Sequence, residues 1–129
     1  MEFDFIKFES THARIEDRIT VTKSGAIGFP TKFYEDNKIA NFKFVVLYYD
    51  VNKMAIGVLF TNNESEKNRF SIIHSKKGYG GSVAVRSFFK VSKLDPVTYY
   101  GRYEWQKIQH EGVGELYVIK LKEREKKEL

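Results

Sequence analysis

The chain carries the same series of elements twice, and this repeat limits its possible folds more than any other feature. Residues 18–22 (RITVT) alternate as a strand, the Gly-containing turn KSG follows, and residues 26–29 (AIGF) alternate again. A short helix over residues 30–39 (PTKFYEDNKI) leads to a strand over 42–50 (FKFVVLYYD), the turn VNKM and a strand over 55–61 (AIGVLFT). Pro30 fits the first helical position, where its missing N–H costs nothing. The order then recurs as strand 69–75 (RFSIIHS), the Gly-rich turn KKGYGG, strand 82–85 (SVAV) and helix 86–94 (RSFFKVSKL). Strand 98–108 (TYYGRYEWQKI), the turn QHEGVG and strand 115–121 (ELYVIKL) complete it. In register, Phe33 falls on Phe89 and Phe44 on Tyr99, and after a one-residue slip Lys38 and Ile39 fall on Lys93 and Leu94. Few residues are identical, so the repeat rests on element order and spacing. The expectation is a mostly β fold with two short helices (α+β), in which residues 18–61 and 69–121 superpose as strand–strand–helix–strand–strand halves about a pseudo-twofold axis.

One domain over residues 1–121 is expected from this length. Residues 1–17 read as an opening edge strand and linker, because residues 2–9 alternate with Phe3, Phe5 and Lys7 on one face and Ile6 and Phe8 on the other. Residues 122–129 read as a frayed charged tail, since signs alternate with no apolar position after Leu121 until the end. Residues 42–49 are apolar on both faces, Phe44, Val46 and Tyr48 on one and Val45, Leu47 and Tyr49 on the other. A strand of that kind is covered on each side, which predicts a small closed barrel and a further cover, either the opening strand, the first helix or a second copy of the chain. The matching strand of the second half alternates Tyr99, Tyr103 and Trp105 with Arg102 and Glu104, and is expected to face water on one side.

The stretches ITVTKSGAIGFPTKFYEDNKIANFKFVVLYYDVNKMAIGVLF and, more loosely, YGGSVAVRSFFKVSKLDPVTYYGRYEWQKI with GELYVIKL resemble the swapped-hairpin barrel of the AbrB, MazE and SpoVT family. The doubled arrangement resembles the tandem MraZ form. The resemblance implies a barrel of two interlocked halves, DNA binding by a regulator or antitoxin-like module, dimers or larger rings, and a protein partner such as a toxin. This sequence departs from the pattern at one place: Gly25 is followed by Ala26 and Gly81 by Ser82, where the family commonly has Arg after Gly. That removes a frequent phosphate-contacting residue and tells against DNA binding by the first half.

Charge follows the same division. Residues 1–64 hold 8 Lys/Arg against 9 Asp/Glu, whereas residues 65–107 hold 9 against 3. A local basic field attracts nucleic acid or an acidic partner. In the second helix Arg86, Lys90 and Lys93 recur at spacings of four and three, opposite an expected buried stripe of Phe88, Val91 and Leu94. The first helix carries Lys32, Glu35, Asp36 and Lys38, neutral by count. The candidate nucleic-acid contacts are therefore Lys76 and Lys77 in the adjoining turn, Arg86, Lys90 and Lys93 on the helix, and Arg102 and Lys107 on the following strand. An amphipathic helix that merely shows its polar face to water has the same pattern.

Other chemistries find little support. With no Cys, the chain forms no disulfide, thiolate metal site or thiol nucleophile. His12, His74 and His110 have no metal-ligand spacing, and HSKKGYGGS, although able to cradle an anion with backbone N–H groups, lacks the GK[ST]-then-helix pattern of a nucleotide loop. No serine sits in a nucleophile elbow. Asn63-Glu64-Ser65 matches a glycosylation acceptor, but the first residues form neither a signal peptide nor a membrane span. The expectation is a cytoplasmic, non-enzymatic protein without cofactor or metal. Two further readings stand beside DNA binding. One is a protein-interaction or assembly module that kept the fold. The other is a single-stranded nucleic-acid binder resembling Whirly or transcription-cofactor folds, suggested by Tyr79, Tyr100 and Tyr103 among basic residues.

Overall fold

A computed structural model describes residues 3–5, 16–76 and 79–123. The elements are β1 (Ile19–Val21), β2 (Ala26–Pro30), α1 (Thr31–Asp36), β3 (Phe44–Asp50), β4 (Ala55–Thr61), β5 (Phe70–Ser71), β6 (Ile73–His74), β7 (Gly80–Ala84), α2 (Arg86–Ser92), α3 (Pro96–Tyr99), β8 (Gly101–Tyr103), β9 (Trp105–His110) and β10 (Gly114–Lys120). The protein is mostly β with a few short helices. Among the described residues, no helix is long and apolar enough to cross a membrane.

The strands form two antiparallel sheets, ordered β6-β7-β2-β1-β8 and β5-β3-β4-β10-β9. The expected closed barrel does not form: the ladders make two separate five-stranded sheets that are not closed into a barrel. At two corners the chain crosses from one sheet to the other. Expected strand 69–75 breaks at Ile72, whose N–H turns to the Lys43 carbonyl at 2.9 Å, and expected strand 98–108 breaks at Glu104. Hairpins β1–β2 and β3–β4 belong to the first repeat, and β6–β7 and β9–β10 to the second. Between repeats, β2 pairs with β7, β1 with β8, β3 with β5 and β4 with β10. Each hairpin therefore completes its backbone hydrogen bonding on strands of the other repeat.

One hydrophobic cluster takes side chains from both sheets and from both repeats, among them Ile19, Val21, Ile27, Phe29, Val45, Ile56, Val58, Val83 and Ile119. Phe33 of α1 stands at its centre, fully buried, with ring centroids 5.1 Å from Trp105, 5.2 Å from Tyr117 and 5.7 Å from Phe29. Its counterpart Phe89 of α2 is also buried. A left-handed lysine follows each helix: Lys93 (φ 62°) caps α2, and Lys38 (φ 54°) lies two residues past α1 at the head of a 3-10 turn over Ile39–Asn41, and the next residues, Ile39 and Leu94, are buried. The Leu94 N–H reaches back to the Phe89 carbonyl at 3.0 Å, so the left-handed lysine closes the helix and sends an apolar residue into the core.

Three local expectations change. Pro30 closes β2 and sits just before α1 in an extended conformation, its fixed φ of −69° serving a strand end as well as a first helical position. Thr98 and Tyr99, expected to open a strand, instead end the one-turn helix α3, because Asp95 accepts the Val97 N–H at 2.9 Å and Pro96 occupies the first turn. Val91 is 83% exposed rather than buried. At about 100° per residue, the inward arc of α2 passes through Phe88, Ser92 and Phe89, leaving Val91 on the solvent side. The opening strand falls largely on residues outside the described ones, and the described residues 3–5 carry no strand. Most of the tail, residues 124–129, also lies outside them.

Candidate nucleic-acid interface

The antiparallel pairing of β2 with β7 decides which turn meets which helix. Ala26 lies opposite Ala84 and Pro30 opposite Gly80, so the β1–β2 turn stands at the α2 end of the ladder and the β6–β7 turn at the α1 end. The contacts agree. The Val85 N–H donates to the Gly25 carbonyl at 2.9 Å just before α2, and the Thr31 hydroxyl at the start of α1 donates to the Tyr79 carbonyl at 2.6 Å. Gly25 has φ +87°, and a Cβ there would fall 2.8 Å from Cγ of Arg86. Only glycine allows the turn to sit directly on the first turn of α2.

The expected site residues consequently divide. Arg86, Lys90 and Lys93 come together on α2, all exposed and none in an ion pair among the described residues. Lys76 is exposed in the β6–β7 turn, but that turn adjoins α1. The five residues of β7 separate it from α2, roughly 15 Å at ~3.3 Å per residue. Lys77 lies outside the described residues. Arg102 points outward from β8 and is 3.5 Å from Glu16. Lys107, expected close to it, lies beyond the break at Glu104. Lys107 sits opposite Tyr117, with Nζ 5.8 Å from that ring and 4.0 Å from Glu115, on the other side of β9 from Gln106.

The turn that does adjoin α2 carries Lys23. Three hydrogen bonds close it, the Thr22 N–H to the Ala26 carbonyl at 2.9 Å, the Gly25 N–H to the Thr22 carbonyl at 3.1 Å and the Ala26 N–H to the Thr22 hydroxyl at 3.0 Å. Lys23 Nζ stands 4.5 Å from the Tyr100 ring centroid, a cation–π placement. Beyond it opens a broad groove lined by Arg18, Lys23, Arg102, Lys120 and Lys122, with Glu104 and Glu123 as its acids and Tyr100, Trp105 and Val118 among its other walls. Residue patterning missed Lys23, Arg18, Lys120 and Lys122, because they come from two stretches about 100 residues apart that meet only through the β1–β8 and β9–β10 ladders. The signal available was the interlocking that the family resemblance implies.

Glu16 sets the electrostatics at the groove's edge. Arg18 grips it with two bonds, Nε to Oε2 and Nη2 to Oε1, each 2.9 Å, and the Arg18 backbone N–H adds a third at 3.0 Å. The Trp105 indole N–H holds the adjacent Asp17 carbonyl at 2.8 Å, which fixes the segment against β9. The Arg18 hydrogen bonds, aided by the charges of Arg18 and Arg102, lower the Glu16 pKa from 4.5 to about 2. On α1, by contrast, Lys32 is tied to Asp36 at 2.8 Å.

No group of three or more His, Asp or Glu able to hold a metal occurs among the described residues. His74 donates from Nε2 to the Phe42 carbonyl at 2.9 Å and accepts the Tyr34 hydroxyl at Nδ1 at 2.6 Å, a structural link between α1, β6 and the start of β3. His12 lies outside the described residues. His110 is exposed on β9.

A carboxyl-detected NMR titration should find Glu16 with a midpoint near 2, and Arg18→Gln should move it back toward ordinary carboxylates. A depressed folded-state pKa stabilises the fold above the ordinary value, so this contribution fades as pH falls from about 4.5 through about 2. A wild-type midpoint near 4.5 contradicts the clamp. In comparisons with known proteins, the chain matches no family model, no curated protein and no solved structure.

Proposed function

We propose that the protein is a DNA-binding regulator or antitoxin-like module, without enzymatic activity or cofactor, that holds the phosphate backbone with α2 and the β1–β2 turn. The carrying observation is the contrast between its two helices. On α1 the charge of Lys32 is cancelled by an ion pair, whereas on α2 Arg86, Lys90 and Lys93 stand exposed without one among the described residues. Unpaired surface cations release condensed counterions when they meet phosphates, and this sequence-independent term dominates nonspecific affinity. The fold reading that accompanies it is the doubled AbrB-like unit with a pseudo-twofold relation between repeats. The reciprocal pairings β1–β8 and β3–β5, the β2–β7 ladder between the repeats and the left-handed lysines that follow both helices support it.

Replacing Arg86 and Lys90 by Gln should weaken binding to a short duplex several-fold and flatten its salt dependence by roughly 1 per contact removed. Replacing Lys32 and Lys38 on α1 should change little. Fluorescence anisotropy across a salt series reads both. No binding at ~50 mM salt, where nonspecific contacts are strong, or equal losses in the two pairs, sinks the reading.

Assembly belongs to the same proposal. Val45, Leu47 and Tyr49 turn inward, where Phe88 of α2 meets Tyr49 at 6.1 Å. Phe44, Val46 and Tyr48 lie on the outer face of the β5-β3-β4-β10-β9 sheet with Leu59, Leu116, Val118 and Ile108, as the strand register requires. Val46 and Leu116 are buried but stand outside the main cluster. The part of this face that the chain leaves open, half-buried Phe44, Tyr48, Leu59 and Val118 with exposed Ile108, favours a homo-oligomer through it, and also motivates the alternative of a protein-interaction module. Light scattering at tens of micromolar should give a dimer or larger that Leu59→Arg dissociates, and a wild-type monomer removes this part of the proposal.

A further inference from the structure

The groove beside β8 holds an arrangement that the α2 reading does not use. Arg18 and Arg102 converge on one carboxylate, Glu16, which fills the fork of Arg18 bidentately and lies 3.5 Å from Arg102 Nη1. Carboxylates and phosphates are gripped by guanidinium forks in the same geometry, so Glu16 occupies a position suited to a phosphate oxygen pair. Around it stand Lys23, Lys120 and Lys122, none in an ion pair among the described residues. The groove is joined to α2 through Gly25, which touches Arg86 while Lys23, two residues earlier, reaches over Tyr100.

We infer that this groove is a second phosphate-binding stretch of the interface, continuous with α2, and that Glu16 is a built-in competitor which duplex DNA displaces from Arg18 and Arg102. The inference rests on the reading of α2 as a DNA surface and extends it to residues that reading leaves out. The choice of a polyanionic backbone over a single acidic side chain follows from layout. Five cations are spread along the walls, against Glu104 and Glu123, and they continue the charge of α2 rather than forming one closed pocket. A chain of regularly spaced phosphates engages such a surface at several points at once. The Trp105 bond to the Asp17 carbonyl holds the backbone of the segment, so displacement requires only that the Glu16 side chain swing away. Its effect is to set affinity: while Glu16 is in place, the two arginines present about one net positive charge instead of two.

The test measures anisotropy of a 20-base-pair duplex from ~50 to ~200 mM salt for single variants of the full chain. Glu16→Gln keeps an oxygen to accept the Arg18 N–H and removes the charge, so affinity should rise several-fold and the salt slope should steepen by about 0.9, one phosphate's worth. Arg102→Gln and Lys122→Gln should each weaken binding and flatten the slope by a similar amount. Glu64→Gln is the control, because it removes the same charge beside Lys43, 3.8 Å away in another region, and should change affinity less than twofold. Unchanged Trp105 fluorescence in Glu16→Gln shows that the segment remains docked. If Arg86→Gln and Lys90→Gln weaken binding while the groove variants leave affinity and slope alone, the groove inference falls and the α2 reading stands. If Glu16→Gln and Glu64→Gln act equally, the effect is net charge and the competitor role is overturned. If no variant binds duplex and Glu16→Gln instead gains affinity for a poly-aspartate peptide, the site takes carboxylates and both DNA claims fall.

Discussion

Every hairpin among the described residues finishes its backbone hydrogen bonding on strands of the other repeat, and the remaining structure follows from that constraint. The β2–β7, β1–β8, β3–β5 and β4–β10 ladders leave neither repeat with a complete sheet of its own. Unpaired buried backbone groups each cost on the order of 1–3 kcal/mol, so the two repeats depend on each other for folding. A single core results, with Phe33 at the meeting point of both sheets. The same ladders set each helix against the turn of the opposite repeat, and this places Lys23 rather than Lys76 beside α2.

Electrostatics then separates two otherwise similar ends. At the α1 end, the Lys32–Asp36 pair is an exposed i,i+4 bridge of the kind that contributes only ~0.3–0.5 kcal/mol to stability. Its larger consequence is to remove a charge that a polyanion would meet. At the α2 end, the cations that face solvent are not cancelled, and the groove adds five more with a carboxylate set between two of them. A surface of this kind binds through the number of phosphates engaged at once, since each exposed contact alone is weak in water.

Much of the fold was legible in residue order. Lys38–Ile39 and Lys93–Leu94, aligned by spacing alone, share left-handed angles and the apolar residue that follows. Phe33 and Phe89 are both core residues. The Asp95 cap that starts α3 went unread beside the alternating tyrosines, and the position of Val91 turned on a few tens of degrees along a two-turn helix. The breaks at Ile72 and Glu104 had no local signal, because a strand that leaves one sheet for another still alternates on either side of the bend. For the site, α2 was readable as a stripe, but chain proximity wrongly joined Lys76 to it. The stretch of Arg18 and Lys23 meets that of Lys120 and Lys122 only in three dimensions, where sequence separation carries no information without the pairing.

The proposed DNA surface runs unbroken from α2 across the β1–β2 turn into the groove of Arg18 and Arg102. An amide-resolved NMR titration with a short duplex tests it most directly. Shifts should concentrate at Arg86–Lys93, at Lys23 and Gly25, and at Arg18, Arg102, Lys120 and Lys122, with Lys76 and the α1 residues little affected. Shifts confined to the outer sheet face of Val46, Leu59, Leu116 and Val118, or centred on α1 and Lys76, contradict it.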